Sequence, residues 1–150
     1  MSEDTQPTVD CLVLGGGIAG MQAALTVRER WPDKSVVVIE AEKELGYYRT
    51  LLPQFMLRNL PEYKLFFYRQ ERDDKLGLRT DTAAVFVNCH DRQVLLGNGQ
   101  HLNYDRLVIT TGGRPIVPAN CRLDDSEGIF PVRSLTAARQ AREWLARHPR

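Results

Sequence analysis

The apolar positions near the start of the chain fall into blocks with different spacing. Val9–Leu14 is a short apolar run, the pattern of a strand buried on both faces of a parallel sheet. Ile18–Arg30 carries apolar residues every three or four positions and runs into the sequence Trp-Pro-Asp, which predicts an amphipathic helix with a defined stop. Val36–Ile39 is apolar again. The order strand, helix, strand predicts a parallel β-α-β unit.

The rest of the chain alternates between short helical and short β-prone segments. The predicted elements are helices at 51–60 and 61–75, a β-prone stretch at 78–88, a hairpin of Gln93–Leu96 with 101–104 around Gly97-Asn98-Gly99, a strand at 106–110, and a helix at 134–147 with Ser134 as its N-cap. This order predicts an α/β fold: a parallel sheet with a small antiparallel β insertion and helices on its faces, in three layers.

The turn between the first strand and the first helix is rich in glycine. Gly15 permits a tight turn, Gly17 lets a pyrophosphate approach the backbone, and Gly20 lets the helix pack closely on the strand. The unpaired N–H groups of the helix start attract an anion. The pattern therefore predicts dinucleotide binding, with the alternative that the glycines serve only tight packing.

An acidic residue closes the second strand. Glu40 lies twenty residues beyond Gly20, where a carboxylate is placed to accept hydrogen bonds from the 2′,3′-diol of a ribose. It would repel a 2′-phosphate, which argues against NADP at this site.

Aromatic and basic residues follow Glu40, at the edge of the sheet where α/β proteins bind ligands. Arg49 has two open interpretations: a partner for pyrophosphate or for an electron-rich ring, or a surface cation beside tyrosines that pack, Tyr47 and Tyr48. A second glycine turn, Thr111-Gly112-Gly113, closes the strand at 106–110.

Composition narrows the class of protein. With 150 residues, the chain is long enough for one domain with a hydrophobic core, and its net charge of +1 gives no bias toward nucleic acid. No apolar run is long enough to span a membrane, and the acidic N-terminus lacks the features of a signal peptide. A soluble cytoplasmic protein is therefore expected.

The metal-ligating residue types form no cluster. His90, His101 and His148 follow no ligand spacing, so no metal site is predicted. The three cysteines are far apart and odd in number, which is typical of free thiols in a reducing compartment, and the first of them, Cys11, is predicted to pack in the core.

Three segments together resemble the N-terminal FAD-binding region of pyridine nucleotide-disulfide oxidoreductase-like flavoproteins. They are VLGGGIAGMQAA followed by Glu40, the segment YDRLVITTGGRP after the hairpin, which is similar to the family's "YD-x-L-(apolar)-(apolar)-A-T-G-x-x-P", and GIFPVRSLTAARQ. They span nearly the whole chain in the family's order. The resemblance implies a Rossmann-like FAD-binding fold and FAD as the cofactor.

The resemblance also implies roles for individual residues. The FAD pyrophosphate would be held by Gly15, Gly17, Ala19 and Gly20, the adenosine ribose by Glu40, and the adenine by backbone groups at Ala84, while Thr111 and Gly112 would lie beside the FAD and Arg49 would match the arginine of the "Y-x-R-P-x-L" segment. No catalytic acid, base or nucleophile is evident.

Departures from the family pattern leave two branches open. The pair of redox cysteines is absent, which argues against dithiol catalysis, and Thr110 stands where the family has alanine before Thr-Gly. Arg49 favours the NADH:rubredoxin and nitrite reductase-like branch, although that branch's "L-S-K" lysine is missing. Leu51-Leu52-Pro53-Gln54 is instead similar to the "P-L-L-P-Q" of type II NADH dehydrogenases.

The family is longer than this chain. It continues with an NADH-binding domain and a return strand beside the strand at 106–110, so residues 1–150 are expected to form a single, partial domain, with 134–150 leading toward the absent part. NAD(P)H would enter as co-substrate through that absent domain. A partner chain or the absent part would cover the open sheet edge, and this chain alone would bind FAD weakly or not at all.

Two other classes of function stay open at this stage. One is a non-catalytic nucleotide-binding or assembly subunit that needs a partner chain, and the other is a simple NAD-binding Rossmann domain. The hairpin followed by Thr-Thr-Gly disfavours the NAD-binding domain, because the resemblance assigns that piece to FAD domains.

Overall fold

A computed structural model describes residues 8–57, 60–68, 76–119 and 128–148. These residues group into two compact units. The sheet unit holds the described residues up to Gly46 and those from Tyr68 to Gly112, and the helical unit holds the described residues 47–67 and 113–148. The expectation of one partial domain over residues 1–150 stays a prediction.

The sheet unit begins with the β-α-β unit, and its bounds are those expected. The first strand, β1, is Val9–Leu14, the first helix, α1, is Ile18–Arg30, and β2 is Val36–Ile39. The strands that follow are β3 at Gly77–Arg79, β4 at Ala84–Asn88, β5 at Gln93–Leu96 and β6 at His101–Ile109.

These strands form one six-stranded sheet in the order β3-β2-β1-β6-β5-β4. The pairs β3–β2, β2–β1 and β1–β6 are parallel, whereas β6–β5 and β5–β4 are antiparallel. Leu14 is in register with Ile39 on one side and with Ile109 on the other, so three parallel strands end together. The predicted α/β class, with its antiparallel insertion, is confirmed.

One strand is longer than the sequence predicts. Segments 101–104 and 106–110 are expected as separate pieces, yet β6 is continuous over His101–Ile109. Its first residues pair with β5 as far as Asn103, and from Tyr104 onward it pairs with β1. A single strand therefore serves both the hairpin and the parallel sheet, which local spacing does not reveal.

The stretch 78–88 is also organised differently. It is expected as one β-prone segment, but β3 and β4 are separated by a turn in which Asp81 has a positive φ of 52°. β3 joins the parallel sheet beside β2, whereas β4 pairs antiparallel with β5. The turn divides the segment between two neighbours.

The helical unit is built on two helices, α2 at Leu52–Leu57 and α3 at Leu135–Arg147. The predicted N-cap is confirmed, since the Ser134 side chain accepts a hydrogen bond of 3.1 Å from the N–H of Ala137. The helix expected at 61–75 is reduced, in the described residues, to a 3-10 turn at Glu62–Leu65, and residues 69–75 lie outside the described part.

Each unit has its own apolar core. One apolar cluster of the sheet unit comprises Leu12, Leu14, Ile39, Val94, Leu96, Leu102 and Tyr104, and the α1 side chains of Met21 and Ala24 are also fully buried in this unit. The core of the helical unit comprises Tyr47, Leu52, Phe55, Leu65, Leu135 and Ala138. Cys11 is buried, as expected from its place in β1. In the part of the chain that the structure describes, no helix combines the length and apolar character needed to cross a membrane.

Candidate functional site

The first glycine of the bend has a conformation and a neighbour that require glycine. Gly15 has a φ of +102°, and a Cβ there would lie 2.4 Å from the carbonyl oxygen of Thr110. Its N–H donates a 2.8 Å hydrogen bond to the carbonyl of Ile39. The bend thus crosses the ends of three strands at close range, and a side chain at Gly15 would push them apart.

Gly20 lets the first turn of α1 press onto this bend. A Cβ on Gly20 would lie 1.8 Å from the Gly15 carbonyl oxygen and 2.6 Å from Oγ1 of Thr110. Gly17 is the opposite case, because a Cβ there would meet nothing within 4 Å. Of Gly15, Gly17 and Gly20, the first and the last are therefore needed for close packing, and Gly17 faces open space.

The start of α1 presents backbone donors beside that space. The N-cap, Gly17, has an extended conformation and makes no side-chain cap hydrogen bond, and the first turn contains no acidic residue. The first hydrogen bond of the helix runs from Met21 N–H to the Gly17 carbonyl at 2.9 Å. The three N–H groups before Met21 therefore lie outside the i-to-i−4 hydrogen bonds of the helix. Ile18 and Ala19 are exposed. This helix end attracts an anion.

Glu40 lies against the bend. Its side chain is buried, with only 6% of the residue exposed. One carboxylate oxygen, Oε2, accepts a 2.7 Å hydrogen bond from Gly16 N–H, and the other accepts a 3.0 Å bond from Glu42 N–H. A carboxylate has about four acceptor positions, so it keeps capacity for hydroxyl donors from outside the protein.

The end of β6 forms the other wall of the bend. Thr110 N–H donates to the Leu14 carbonyl at 2.8 Å, and the Thr110 hydroxyl lies 3.0 Å from both the Leu14 and the Gly15 carbonyl oxygens. The Cα of Thr111 would lie 3.1 Å from a Cβ on Gly15. Gly112 follows with a positive φ of 70°. Thr111 and Gly112 are thus the next two residues after Thr110, which contacts the bend.

Ala84 has a different location within the sheet unit. It begins β4 at the end of the strand order, pairs with Leu96, and packs partly buried against the apolar core. The neighbouring Ala83 carbonyl accepts a 2.8 Å hydrogen bond from Gly97 N–H. The adenine contact at Ala84 stays a prediction.

Arg49 belongs to the helical unit, where it is half-buried. Its Nη1 donates to the hydroxyl of Tyr47 and, at 2.8 Å, to the carbonyl of Arg133, and its Cζ lies 4.8 Å from the centre of the Tyr47 ring. The Tyr47 hydroxyl also accepts a 3.1 Å bond from Leu135 N–H. Arg49 therefore joins its own segment to the start of α3, a role that sequence reasoning missed. Its cofactor contact stays a prediction.

Thr110 is the other functional candidate that sequence reasoning missed. The only signal in the sequence is a hydroxyl residue between the apolar end of β6 and Thr-Gly-Gly. The contact with the bend spans 95 residues of chain, so spacing along the sequence does not show it.

The described cysteines and histidines form no second site. No group of three or more His, Cys, Asp or Glu side chains suited to a metal ion occurs among residues 8–57, 60–68, 76–119 and 128–148. Burial raises the pKa of the Cys11 thiol, and the Asp10 carboxylate adds to the shift, so that thiol stays protonated. Cys89 is exposed, and Cys121 lies outside the described residues.

The sequence pattern of the pyridine nucleotide-disulphide oxidoreductase family matches residues 9–147. The chain belongs to this family. The match covers β1, the glycine bend, Glu40, the hairpin and α3. The resemblance of the three segments is therefore confirmed.

Individual members of the family align over most of this chain. It is 27% identical to an NADH oxidase of Methanocaldococcus jannaschii, covering 89% of this chain and 32% of that protein. It is 30% identical to the ferredoxin–NAD(+) reductase component of an anthranilate 1,2-dioxygenase system of Burkholderia cepacia, covering 91% and 34%. The chain thus spans about a third of the length of these curated relatives.

Solved structures give the same fold. An NAD-dependent persulfide reductase from A. fulgidus matches 93% of this chain and 28% of its own, with a TM-score of 0.82 and 28% identity. The NADH:rubredoxin oxidoreductase of Clostridium acetobutylicum matches 94% and 36%, with a TM-score of 0.78 and 22% identity. The Rossmann-like character of the fold is confirmed.

Proposed function

We propose that this chain supplies the FAD-binding portion of an NAD(P)H-dependent flavoprotein oxidoreductase. The observation that carries the proposal is the geometry of the bend. Gly17 faces open space at a helix start without a side-chain cap, and the buried Glu40 carboxylate accepts a hydrogen bond from the neighbouring Gly16 N–H. Relatives in this family are FAD-containing, NAD(P)H-dependent oxidoreductases.

The residues present fit a dinucleotide. A Cβ at Gly17 would occupy the space that a pyrophosphate needs, and its absence leaves that space free. The N–H groups at the start of α1, including those of Ala19 and Gly20, would hold the pyrophosphate, with Gly15 shaping the turn. The remaining acceptor capacity of Glu40 would hold the ribose hydroxyls.

The other predicted positions remain part of the proposal. Thr111 and Gly112 would lie beside the cofactor at the end of β6, backbone groups at Ala84 would meet the adenine, and Arg49 would contribute positive charge. The chemistry supplied by bound FAD is acceptance of a hydride from NAD(P)H and release of its electrons to an acceptor. The residues of this chain would bind and orient the FAD, and NAD(P)H would bind outside these residues.

A partner is proposed at one edge of the sheet. Within the described residues, Arg106 to Ile109 have only β1 as a ladder partner, and Ile109 is 60% exposed. We propose that a strand from another part of the protein, or from a partner chain, covers this edge. Relatives include ferredoxin reductase components, whose names imply protein partners. The cytoplasm is the proposed compartment.

The test is a titration of the isotope-labelled chain with FAD, followed by amide NMR, which detects weak binding. We expect the amides of Ile18, Ala19 and Gly20 to shift. The variant Gly17→Ala should lose this response, because its methyl group fills the open space, while Ser35→Ala, which changes a side chain bonded to Asp10 at the opposite end of β1, should keep it. Equal amide shifts on FAD addition in both variants would contradict the proposal.

A second candidate is a simple NAD-binding domain, favoured by the fact that Glu40 suits the ribose of any adenine dinucleotide with a free 2′-hydroxyl. The same titration with NADH separates the two. A response to NADH with none to FAD would support the NAD-binding domain. A response to FAD at lower concentration than to NADH supports the flavoprotein.

A further inference from the structure

The peptide bond between Gly15 and Gly16 is held from both sides. Its carbonyl accepts from the Thr110 hydroxyl at 3.0 Å, whose single proton is shared with the Leu14 carbonyl at the same distance, and its N–H donates to Oε2 of Glu40 at 2.7 Å. The described part of the chain contains no cis peptide bond. In a trans peptide the C=O and N–H groups point in opposite directions, so these two contacts fix the plane of the peptide.

This peptide would otherwise have unusual freedom. Glycine stands on both sides of it, and glycine reaches positive and negative φ with similar ease. Gly15 itself has a φ of +102°. Neither residue of this peptide has a side chain of its own to restrict the backbone, so hydrogen bonds contribute more of the restraint here than at other residues.

We propose that the Thr110 hydroxyl is a positioning group of the dinucleotide site, which sets cofactor affinity by orienting the Gly15–Gly16 peptide. The inference rests on the proposed function. The hydroxyl contacts the carbonyls of Leu14 and Gly15, beneath the bend. It acts through the bend, because the peptide plane sets the direction in which the backbone enters Gly17 and the free N–H groups of α1.

Removal of the hydroxyl affects one carbonyl more than the other. The Leu14 carbonyl also accepts the Thr110 backbone N–H at 2.8 Å, so it keeps a partner in any variant. The Gly15 carbonyl loses the hydroxyl, while Glu40 still holds the peptide from its N–H side. Thr110→Val keeps the branched shape and removes this hydrogen bond, whereas Thr110→Ser keeps the hydroxyl and removes a methyl group.

The experiment compares the parent chain with Thr110→Val, Thr110→Ser and Thr110→Ala by amide NMR titration with FAD and by hydrogen exchange at the Gly16 amide. Ser35→Ala is the matched control. Its hydroxyl bonds Asp10 at 2.7 Å at the opposite end of β1, so its loss affects the strand without reaching the bend.

We expect Thr110→Val and Thr110→Ala to raise the FAD dissociation constant about fivefold, which is the effect of one net hydrogen bond. The same variants should exchange the Gly16 amide faster. Thr110→Ser should bind FAD within about twofold of the parent, as should Ser35→Ala, even though Ser35→Ala lowers thermal stability.

The outcomes are distinguishable. If the parent binds FAD and the valine and alanine variants bind it equally well with unchanged Gly16 exchange, Thr110 has only a structural role and the inference is wrong. If serine fails to restore binding, the side-chain shape decides rather than the hydroxyl, which also overturns it. If no amide of the parent responds to FAD at the highest concentration tested, this chain does not supply an FAD site by itself, and the Gly16 exchange rates, which need no cofactor, still decide whether the Thr110 hydroxyl orients the peptide.

Discussion

Glu40 and Gly16 are joined by a buried hydrogen bond of 2.7 Å, although 24 residues separate them in the chain. The acceptor is the side chain that closes β2, and the donor is the middle residue of the glycine bend after β1. Both strands end at the same edge of the sheet, because Leu14 and Ile39 are in register. The carboxylate therefore fixes the bend as well as facing it.

This relationship predicts that Glu40→Gln is destabilising. Both carboxylate oxygens accept from N–H groups, and an amide has a single oxygen, so its NH₂ group would oppose one of these donors. Urea denaturation should show a loss of about 1 to 3 kcal/mol. Glu29→Gln, an exposed change on α1, is the control and should lie within about 0.5 kcal/mol of the parent. Equal stability of both variants would contradict the structure.

Substitution by alanine should destabilise the protein strongly at Gly20 and only slightly at Gly17. A methyl group at Gly20 would collide with the Gly15 carbonyl at 1.8 Å, so Gly20→Ala is expected to cost about 3 kcal/mol or more. Gly17→Ala meets nothing within 4 Å and has an extended backbone open to alanine, so its effect should stay within about 1 kcal/mol. Thermal unfolding measures both, and similar melting temperatures would refute the packing described for α1.

Acid sensitivity is predicted at the opposite end of β1. The Lys34 side chain, followed by the backbone and hydroxyl of Ser35, holds the pKa of the Asp10 carboxyl well below its ordinary value. A lowered folded-state pKa stabilises the protein above the unfolded value of about 3.9 and loses that contribution as pH falls through the folded-state pKa. Asp10→Asn should therefore be less stable than the parent at pH 6, with a difference that shrinks below about pH 4.

The check is urea denaturation at a series of pH values. Asp33→Asn, which changes an exposed aspartate near the same strand end, serves as the control. A stability difference between Asp10→Asn and the parent that stays constant from pH 6 downward would show that the ion pair with Lys34 and the Ser35 contacts do not contribute as described.

The contacts of Arg49 predict a cost for Tyr47→Phe. The Tyr47 hydroxyl, in a residue 2% exposed, accepts from the Arg49 guanidinium and from Leu135 N–H. Its loss leaves a buried N–H at the start of α3 without this acceptor, so a loss of about 1 to 3 kcal/mol is expected in urea denaturation. Tyr63→Phe, at a residue 60% exposed, removes the same atom at the surface and should be nearly neutral. A neutral Tyr47→Phe would be contrary to this account.

The local spacing of apolar, capping and helix-stopping residues was sufficient to predict several helices and strands. The bounds of β1, α1 and β2 follow from apolar spacing and from the stop at 31–33, and α3 follows from its Ser134 cap. The glycine spacing and the acid at Glu40 were also enough to predict that bend and carboxylate belong together. These features are determined within one β-α-β unit, where the chain has few ways to connect adjacent parallel strands.

The sequence by itself thus determined the α/β class, the family and the residues of the bend. Only the tertiary structure decided that β6 is one strand shared by two partners, that the Thr110 hydroxyl meets the Gly15 carbonyl, and that Arg49 donates to the Arg133 carbonyl. The physical reason is that the pairing of β6 with β1 and the contacts of Thr110 and Arg49 join residues 84 to 95 positions apart. Their hydrogen bonds depend on how strands and helices that are distant in the sequence pack together, and residue spacing along the chain does not predict that packing.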